Sequence, residues 1–154
     1  MTEAVPRSVV EAFCAVYAVR DAEKIVAYLH DDVVWTISGP VDILNYCGTH
    51  RGKAAVTDLI ARKVLSMFHV VSFTQESFLV DGNHVAMLHR RTAKRLADGK
   101  VISYRVANFL RFQDGKVIEN LSLLDSFDAA EQMLGYSLVA PARKPVNMGN
   151  LVAV

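Results

Sequence analysis

Two Asp-Gly pairs constrain this chain more than any other feature. Asp98-Gly99, within Ala97 to Lys100, and Asp114-Gly115, within Gln113 to Lys116, each separate β-rich runs. An Asp-Gly pair supplies the positive-φ positions of a tight hairpin turn, so Asn83 to Phe127 is expected to form three successive antiparallel strands. Along the middle strand the even positions run Tyr104, Val106, Asn108, Leu110, Phe112, against Ser103, Arg105 and Arg111 at odd positions. Side chains alternate faces along a strand, so the even set is expected to face the core. Asn108 is then a lone amide on an apolar face, where a polar group needs a partner or a task. By the same alternation, Val85, Met87, His89 and Arg91 share a face of the preceding strand, and Asn120, Ser122 and Leu124 share one of the following strand.

Upstream, Pro6 suits the first turn of a helix that carries Val9, Val10, Phe13, Val16 and Tyr17 at helical spacing and ends near Arg20. Asp21 is expected to cap a short second helix through Tyr28, stopped by Asp31-Asp32. Val33 to Ile37 reads as a short strand holding the only tryptophan, Trp35. Ser38 to Arg51 is expected as a loop, because it contains Gly39, Pro40, Asn45 and Gly48. Its Ile43, Leu44 and Tyr46 either fold over a cavity mouth or pin the loop down. A third helix is expected from Lys53 to Met67, and a long strand from Val70 to Val80. Asp125 reads as the N-cap of a closing helix that Gly135 stops. Helices followed by a run of antiparallel strands is the α+β pattern: a curved antiparallel sheet forming a cone, N-terminal helices packed across its concave face. One such domain is expected over residues 1–138, with 139–154 an irregular tail containing Pro141, Pro145 and Gly149.

Hydrophobic residues at 52% and charged residues at 21% exclude a disordered chain. Seventeen basic against 16 acidic residues, with no Lys/Arg block, predict no nucleic-acid and no membrane partner. No run approaches the length of a membrane span and the start lacks a signal-peptide pattern, so a cytoplasmic home is expected. Cys14 and Cys47 have no metal or redox spacing, and the five histidines show no ligand spacing, so neither metal nor cofactor is expected.

Several short pieces, in their order and spacing, resemble the SnoaL-like, ketosteroid isomerase-like superfamily of cone-shaped, cystatin-like α+β proteins. They are Arg20-Asp21-Ala22, Asp31-Asp32-Val33-Val34-Trp35, Gly52-Lys53, Arg111-Phe112 and Asp114-Gly115-Lys116-Val117-Ile118. Asp125 followed by Gln132-Met133-Leu134-Gly135 resembles the closing helix of SnoaL-like polyketide cyclases. The resemblance covers roughly residues 7 to 136 and implies a small-molecule pocket between sheet and helices, and commonly a dimer. Position by position, the tyrosine of steroid isomerases falls on Phe13, with Tyr17 one turn further on, their carboxylate base on Ile37 and their oxyanion donor on Asn108. The catalytic strand residues of the epoxide hydrolases fall on His89, Arg91 and Ser122. Since no carboxylate stands at these positions, neither of those activities is expected.

His89, Arg91 and Asn108 therefore stand as candidate catalytic residues, and Tyr17, Trp35, Ile37, Asn120, Ser122 and Leu124 as the pocket around a small apolar organic ligand. Three functions stay open: an isomerase, cyclase or lyase acting on an apolar carbonyl or polyketide-like compound, a non-catalytic binder of a hydrophobic ligand, and an interaction protein. The last strand carries apolar residues on both faces (Val117, Leu121, Leu123; Ile118, Leu124), which predicts a homodimer through the convex face of the sheet.

Overall fold

Pro6 precedes the first helix, α1 (Arg7–Val19), which buries its apolar stripe of Val10, Phe13, Cys14 and Tyr17. The computed structural model describes residues 4–138; the expected tail, 139–154, lies outside the described residues. Arg20 closes α1 in the left-handed region (φ 57°, ψ 35°), a position usually given to glycine. Asp21 caps α2 (Ala22–Ile25), accepting the Lys24 N–H at 3.1 Å, and the chain continues through a 3-10 turn at Val26–Tyr28.

Strand β1 (Leu29–Ser38) is longer than expected. Asp31 and Asp32, expected to stop the second helix before the strand began at Val33, lie inside β1 at the irregularity in pairing between Leu29 and Val34. Asp31 is held there by Lys53 at 2.8 Å. The stretch expected as all loop ends in a second strand, β2 (Gly48–Arg51), antiparallel to β1. Backbone pairing with an existing strand outweighed the turn-rich composition. Next, α3 (Lys53–Asp58) widens into a π-helical turn, Leu59–Lys63, so the helical segment is shorter and less regular than its periodicity suggests. Strands β3 (Phe68–Asp81), β4 (His84–Arg95), β5 (Val101–Gln113) and β6 (Lys116–Leu124) follow, and α4 (Ser126–Leu134) closes on Gly135 at φ 81°. The Asp125 side chain accepts the Asp128 N–H, so this acid caps the helix and does not reach the concave face.

The six strands run in the order β2-β1-β6-β5-β4-β3. All neighbours are antiparallel except β1 and β6, which are parallel because the chain returns to the sheet centre after the whole β3–β6 meander. Irregularities in β3–β4, at Val70/Ser72 and Gln75/Ser77, and in β5–β6, at Arg111/Phe112, bend the strands and give the open sheet its curve. The alternation expected for β5 holds: Tyr104, Val106, Asn108, Leu110 and Phe112 are all buried. Val85, Met87, His89 and Arg91 are buried beside them on β4.

In β6 the alternation breaks. Val117, expected on the convex side with Leu121 and Leu123, is fully buried, because the slip at Arg111/Phe112 turns it inward on the same side as Asn120. Leu121 and Leu123 do face outward, 37% and 43% exposed, next to Phe109 at 49%. Phe109 pairs with Leu121 and Ala107 with Leu123, so the three large side chains make one apolar strip on the convex face. We propose that two copies meet on this strip, since contiguous exposed apolar surface marks an interface. The wild-type chain should sediment as a dimer and the double substitution Leu121→Asp, Leu123→Asp as a monomer. A wild-type monomer at micromolar concentration would refute the pairing.

Candidate functional site

Helix α1 lies over one half of the concave face. Cys14 Sγ meets Met87 Sδ at 3.8 Å, and the Phe13 ring packs edge-on against Phe112 with centroids 6.0 Å apart. The other half is left as a small enclosed cavity, with about 20 Å³ of space for the centre of a water molecule. That is room for roughly one water.

The register of the sheet decides which side chains reach this cavity. Across β4 and β5, Arg91 pairs with Tyr104 and His89 with Val106, and Val106 pairs with Leu124 of β6. All five residues line the cavity, as does Ser122. Tyr17 from α1 and Trp35 and Ile37 from β1 form the apolar wall, with Leu59 and Ile60 from the π-helical turn. Tyr17 and Trp35 rings lie 5.6 Å apart, and the His89 ring stacks on Phe73 at 4.0 Å.

Of the residues singled out from sequence, Tyr17, Trp35, Ile37, His89, Arg91, Ser122 and Leu124 are thus brought together. Asn108 and Asn120 are not at the cavity wall. Asn108 is fully buried one layer further in, paired with Met87 on one side and Ser122 on the other, under the helix. Its amide donates to Asn120 Oδ1 at 2.8 Å and to Ser122 Oγ at 2.6 Å, and Asn120 Nδ2 donates to the same Ser122 oxygen at 2.8 Å. Both amide protons of Asn108 are therefore committed within the protein, and direct donation to a ligand oxygen, expected from the alternation alone, is not available from this geometry. The consequence falls on Ser122. Its oxygen accepts two hydrogen bonds, so its own proton is the one left to donate, and Ser122 lines the cavity.

Arg20 and Tyr46 line the cavity but were not among the candidate site residues, although Tyr46 belongs to the loop read as either covering a cavity mouth or pinning itself down. Arg20 was read as the end of α1 and as part of the Arg20-Asp21-Ala22 resemblance, not as a site residue, yet its side chain is 6% exposed and its Cζ stands 4.1 Å from the centre of the Tyr17 ring. The one local signal was an Arg followed by an Asp N-cap, which places it in a helix-ending conformation that turns the chain back. Tyr46, in the β1–β2 loop, is also buried at the cavity, its hydroxyl 2.9 Å from that of Tyr104. With Leu44 and Cys47 it pins the loop against the core.

The electrostatics are one-sided. Arg91 is 5% exposed, and its Nε and Nη2 are buried without a hydrogen-bond partner. His89 Nδ1 is also buried and unpartnered. Burial first, then the charges of Arg20 and Arg91, pushes the His89 pKa down to about 3, so its ring is neutral at pH 7. Burial likewise lowers Arg20, with Arg91 adding to the effect against the opposing influence of Tyr17. Burial raises Tyr46 far above the ordinary phenol range, with Tyr104 next, so that hydroxyl stays protonated. Among the described residues no carboxylate lines the cavity, and no cluster of three or more His, Cys, Asp or Glu side chains lies together. No helix among them is long and apolar enough to cross a membrane.

Comparison with known proteins agrees with this architecture. The sequence model of the SnoaL-like domain matches residues 10–120. Among solved structures, a provisionally named isomerase from Rhodopseudomonas palustris is similar with a TM-score of 0.73 at 28% identity, over 82% of this chain and 93% of its own. TerC, co-crystallised with polyporic acid, is similar in fold with a TM-score of 0.71 at 21% identity, over 82% of this chain and 96% of its own. A Catenulispora acidiphila protein of ketosteroid isomerase-like fold, in complex with trimethylamine, follows with a TM-score of 0.61 at 15% identity, over 77% and 85%. No curated protein matches the chain. With the family model spanning most of the chain and the curved sheet, helices and cavity arranged as described, this protein belongs to the SnoaL-like domain family and has the ketosteroid isomerase-like fold.

Proposed function

We propose that the chain is a cofactor-independent enzyme of isomerase or cyclase type, acting on a small, mostly apolar carbonyl compound in the cavity beneath Tyr46. One observation carries this reading. Arg91 and His89 from β4 and Ser122 from β6, on either side of β5, come to one enclosed space, and buried groups of Arg91 and His89 have no partner in the protein. Polar groups buried without partners are costly, so a protein that keeps several at one point has a ligand that satisfies them.

The chemistry follows from what each group can do. A carbonyl oxygen would accept from Arg91 and from the Ser122 hydroxyl, in surroundings that exclude water and strengthen both interactions. The neutral His89 ring would take the proton from the carbon next to the carbonyl as its electron pair moves onto the oxygen. The resulting oxyanion offsets the two positive charges that depress His89, so the ring gains basicity as the proton arrives. The same ring returns the proton to a different carbon. Asn108 and Asn120 act one step back, holding Ser122 with its proton toward the substrate. A substrate larger than water needs Tyr46 and its loop to move aside.

A second reading keeps the cavity and drops the chemistry: a module that binds a hydrophobic ligand without turnover. It is favoured by the absence of a carboxylate base at the cavity among the described residues. Proton exchange separates the two. Small cyclic ketones incubated with the enzyme in heavy water should lose the NMR signals of the protons beside the carbonyl, and His89→Gln should slow this about a hundred-fold or more. Binding without exchange would leave the non-catalytic reading.

Further outcomes follow from the same residues. Asn108→Leu leaves Asn120 Oδ1 without a donor and should cost about 1–3 kcal/mol of stability in equilibrium unfolding. It should also reduce exchange by freeing the Ser122 hydroxyl to rotate. For His89, the folded pKa of about 3 lies below the 6.5 of the unstructured side chain. Below pH 6.5 the unfolded chain takes up a proton that the folded chain refuses. Stability is therefore full above that value and falls as the pH drops towards 3, by up to about 1.4 kcal/mol per pH unit. Urea unfolding across this range should show the slope in the wild type and a shallower one in His89→Gln. Equal slopes would contradict a buried neutral His89.

A further inference from the structure

We infer that the cavity is an anion site, taking the negatively charged oxygen group of its ligand, a carboxylate or an ionised enol or phenol, against the guanidinium groups of Arg91 and Arg20. Given the reading of the cavity as the substrate site, this narrows the chemistry of what enters it.

Arginine is almost never fully buried unless paired. Here two arginines at one cavity are 5% and 6% exposed, and neither takes part in an ion pair among the described residues. Their protein neighbours are aromatic faces: Tyr17 at 4.1 Å from Arg20 Cζ and Phe68 at 6.0 Å from Arg91 Cζ. A ring face attracts a cation, but it satisfies no N–H group and carries no net charge. Arg91 Nε and Nη2 accordingly remain without an acceptor.

Arg20 adds a second sign of an arrangement kept for a ligand. Its backbone stands at φ 57°, in the left-handed region that glycine or asparagine would occupy with less strain. The helix would end as well on glycine. What glycine lacks is the cation that this side chain places in the cavity.

The remaining polar groups point to the same ligand. Ser122 has only its proton to offer. The Tyr46–Tyr104 pair uses one hydroxyl proton between its members and leaves the other free. The wall is therefore rich in donors and carries two positive charges. A ligand cation would be repelled, and a neutral carbonyl would leave both charges uncompensated in a low-dielectric space. A planar anionic oxygen group supplies charge and acceptors together, in the geometry a guanidinium fork fits.

Titration calorimetry and thermal melts on the full chain test this with acetate and benzoate as carboxylates, 4-nitrophenolate as an ionised phenol and benzamide as the neutral control. At least one anion should bind about ten-fold or more tighter than benzamide. Its affinity should drop about ten- to a hundred-fold in Arg91→Met. Arg20→Met provides an independent variant should the first fail to fold. Without ligand, each variant should melt at a higher temperature than the wild type, because an uncompensated buried charge has been removed. The bound anion should raise the wild-type melting temperature and leave that of Arg91→Met unmoved. Whether benzoate or 4-nitrophenolate binds identifies the source of the charge. Absence of anion binding at millimolar concentration, equal binding of benzamide, or anion binding that survives both substitutions would overturn the inference. Anion binding without proton exchange supports the site and defeats the isomerase reading alone. Exchange on a neutral ketone without anion binding does the reverse.

Discussion

The pairing of β5 with β6 holds the rest of the structure in place. Asn108 stands opposite Ser122 and diagonal to Asn120, and the three side chains bond to one another at 2.6 to 2.8 Å. Two residues further along in either direction, Val106 meets Leu124 and Leu110 meets Asn120. A slip by one residue would carry Tyr104, Val106, Leu110 and Phe112 to the convex side and leave the amides without partners in the core. Burial and hydrogen bonding thus select the same register, so it is specified twice. Together with the β4–β5 register it sets the row His89–Val106–Leu124 and, one inward-facing pair along, Arg91–Tyr104, which are the floor of the cavity.

Around that floor the protein accepts unfavourable terms that a fold alone would not need. It buries two arginines without a carboxylate, holds one of them in the left-handed region and keeps a histidine deprotonated well below its ordinary range. Elsewhere, charges are handled conventionally: Lys53 with Asp31, Arg105 with Glu76 and Arg111 with Glu119 pair where solvent reaches them. Apart from Asn108 Oδ1, which is buried without a partner behind Ser122, the unpartnered buried polar atoms among the described residues belong to two cavity side chains, His89 and Arg91. Such a concentration of costs is expected where function, and not stability, selects the residues.

The split between readable and unreadable residues follows interaction range. Asp98-Gly99 and Asp114-Gly115 determine their turns within a few residues, and both glycines stand at φ 72°. Asp21 and Asp125 cap their helices through N–H groups three positions on. The inward face of β5 was legible because alternation is strict along an unbroken strand. It failed in β6, where the slip beside Phe112 sends Val117 inward, and a bulge of this kind has no signature in one strand read by itself. The short strand β2 was likewise hidden, since four residues of Gly-Thr-His-Arg become a strand only because β1 offers an edge.

By itself, then, the sequence determined the alternation, the turns, the helix caps and the α+β order, because each depends on steric and hydrogen-bonding preferences of neighbouring residues. It also singled out His89, Arg91 and Ser122 as inward-facing polar groups. Only the tertiary structure decided that Asn108 stands behind the cavity and not at its wall, for that depends on where α1 lies, with Cys14 on Met87. Only the tertiary structure brought Arg20 to the same space as Arg91. The two are separated by nearly half of the chain, and their shared burial arises when α1 and β4 pack together, a consequence of long-range contacts that no local pattern encodes.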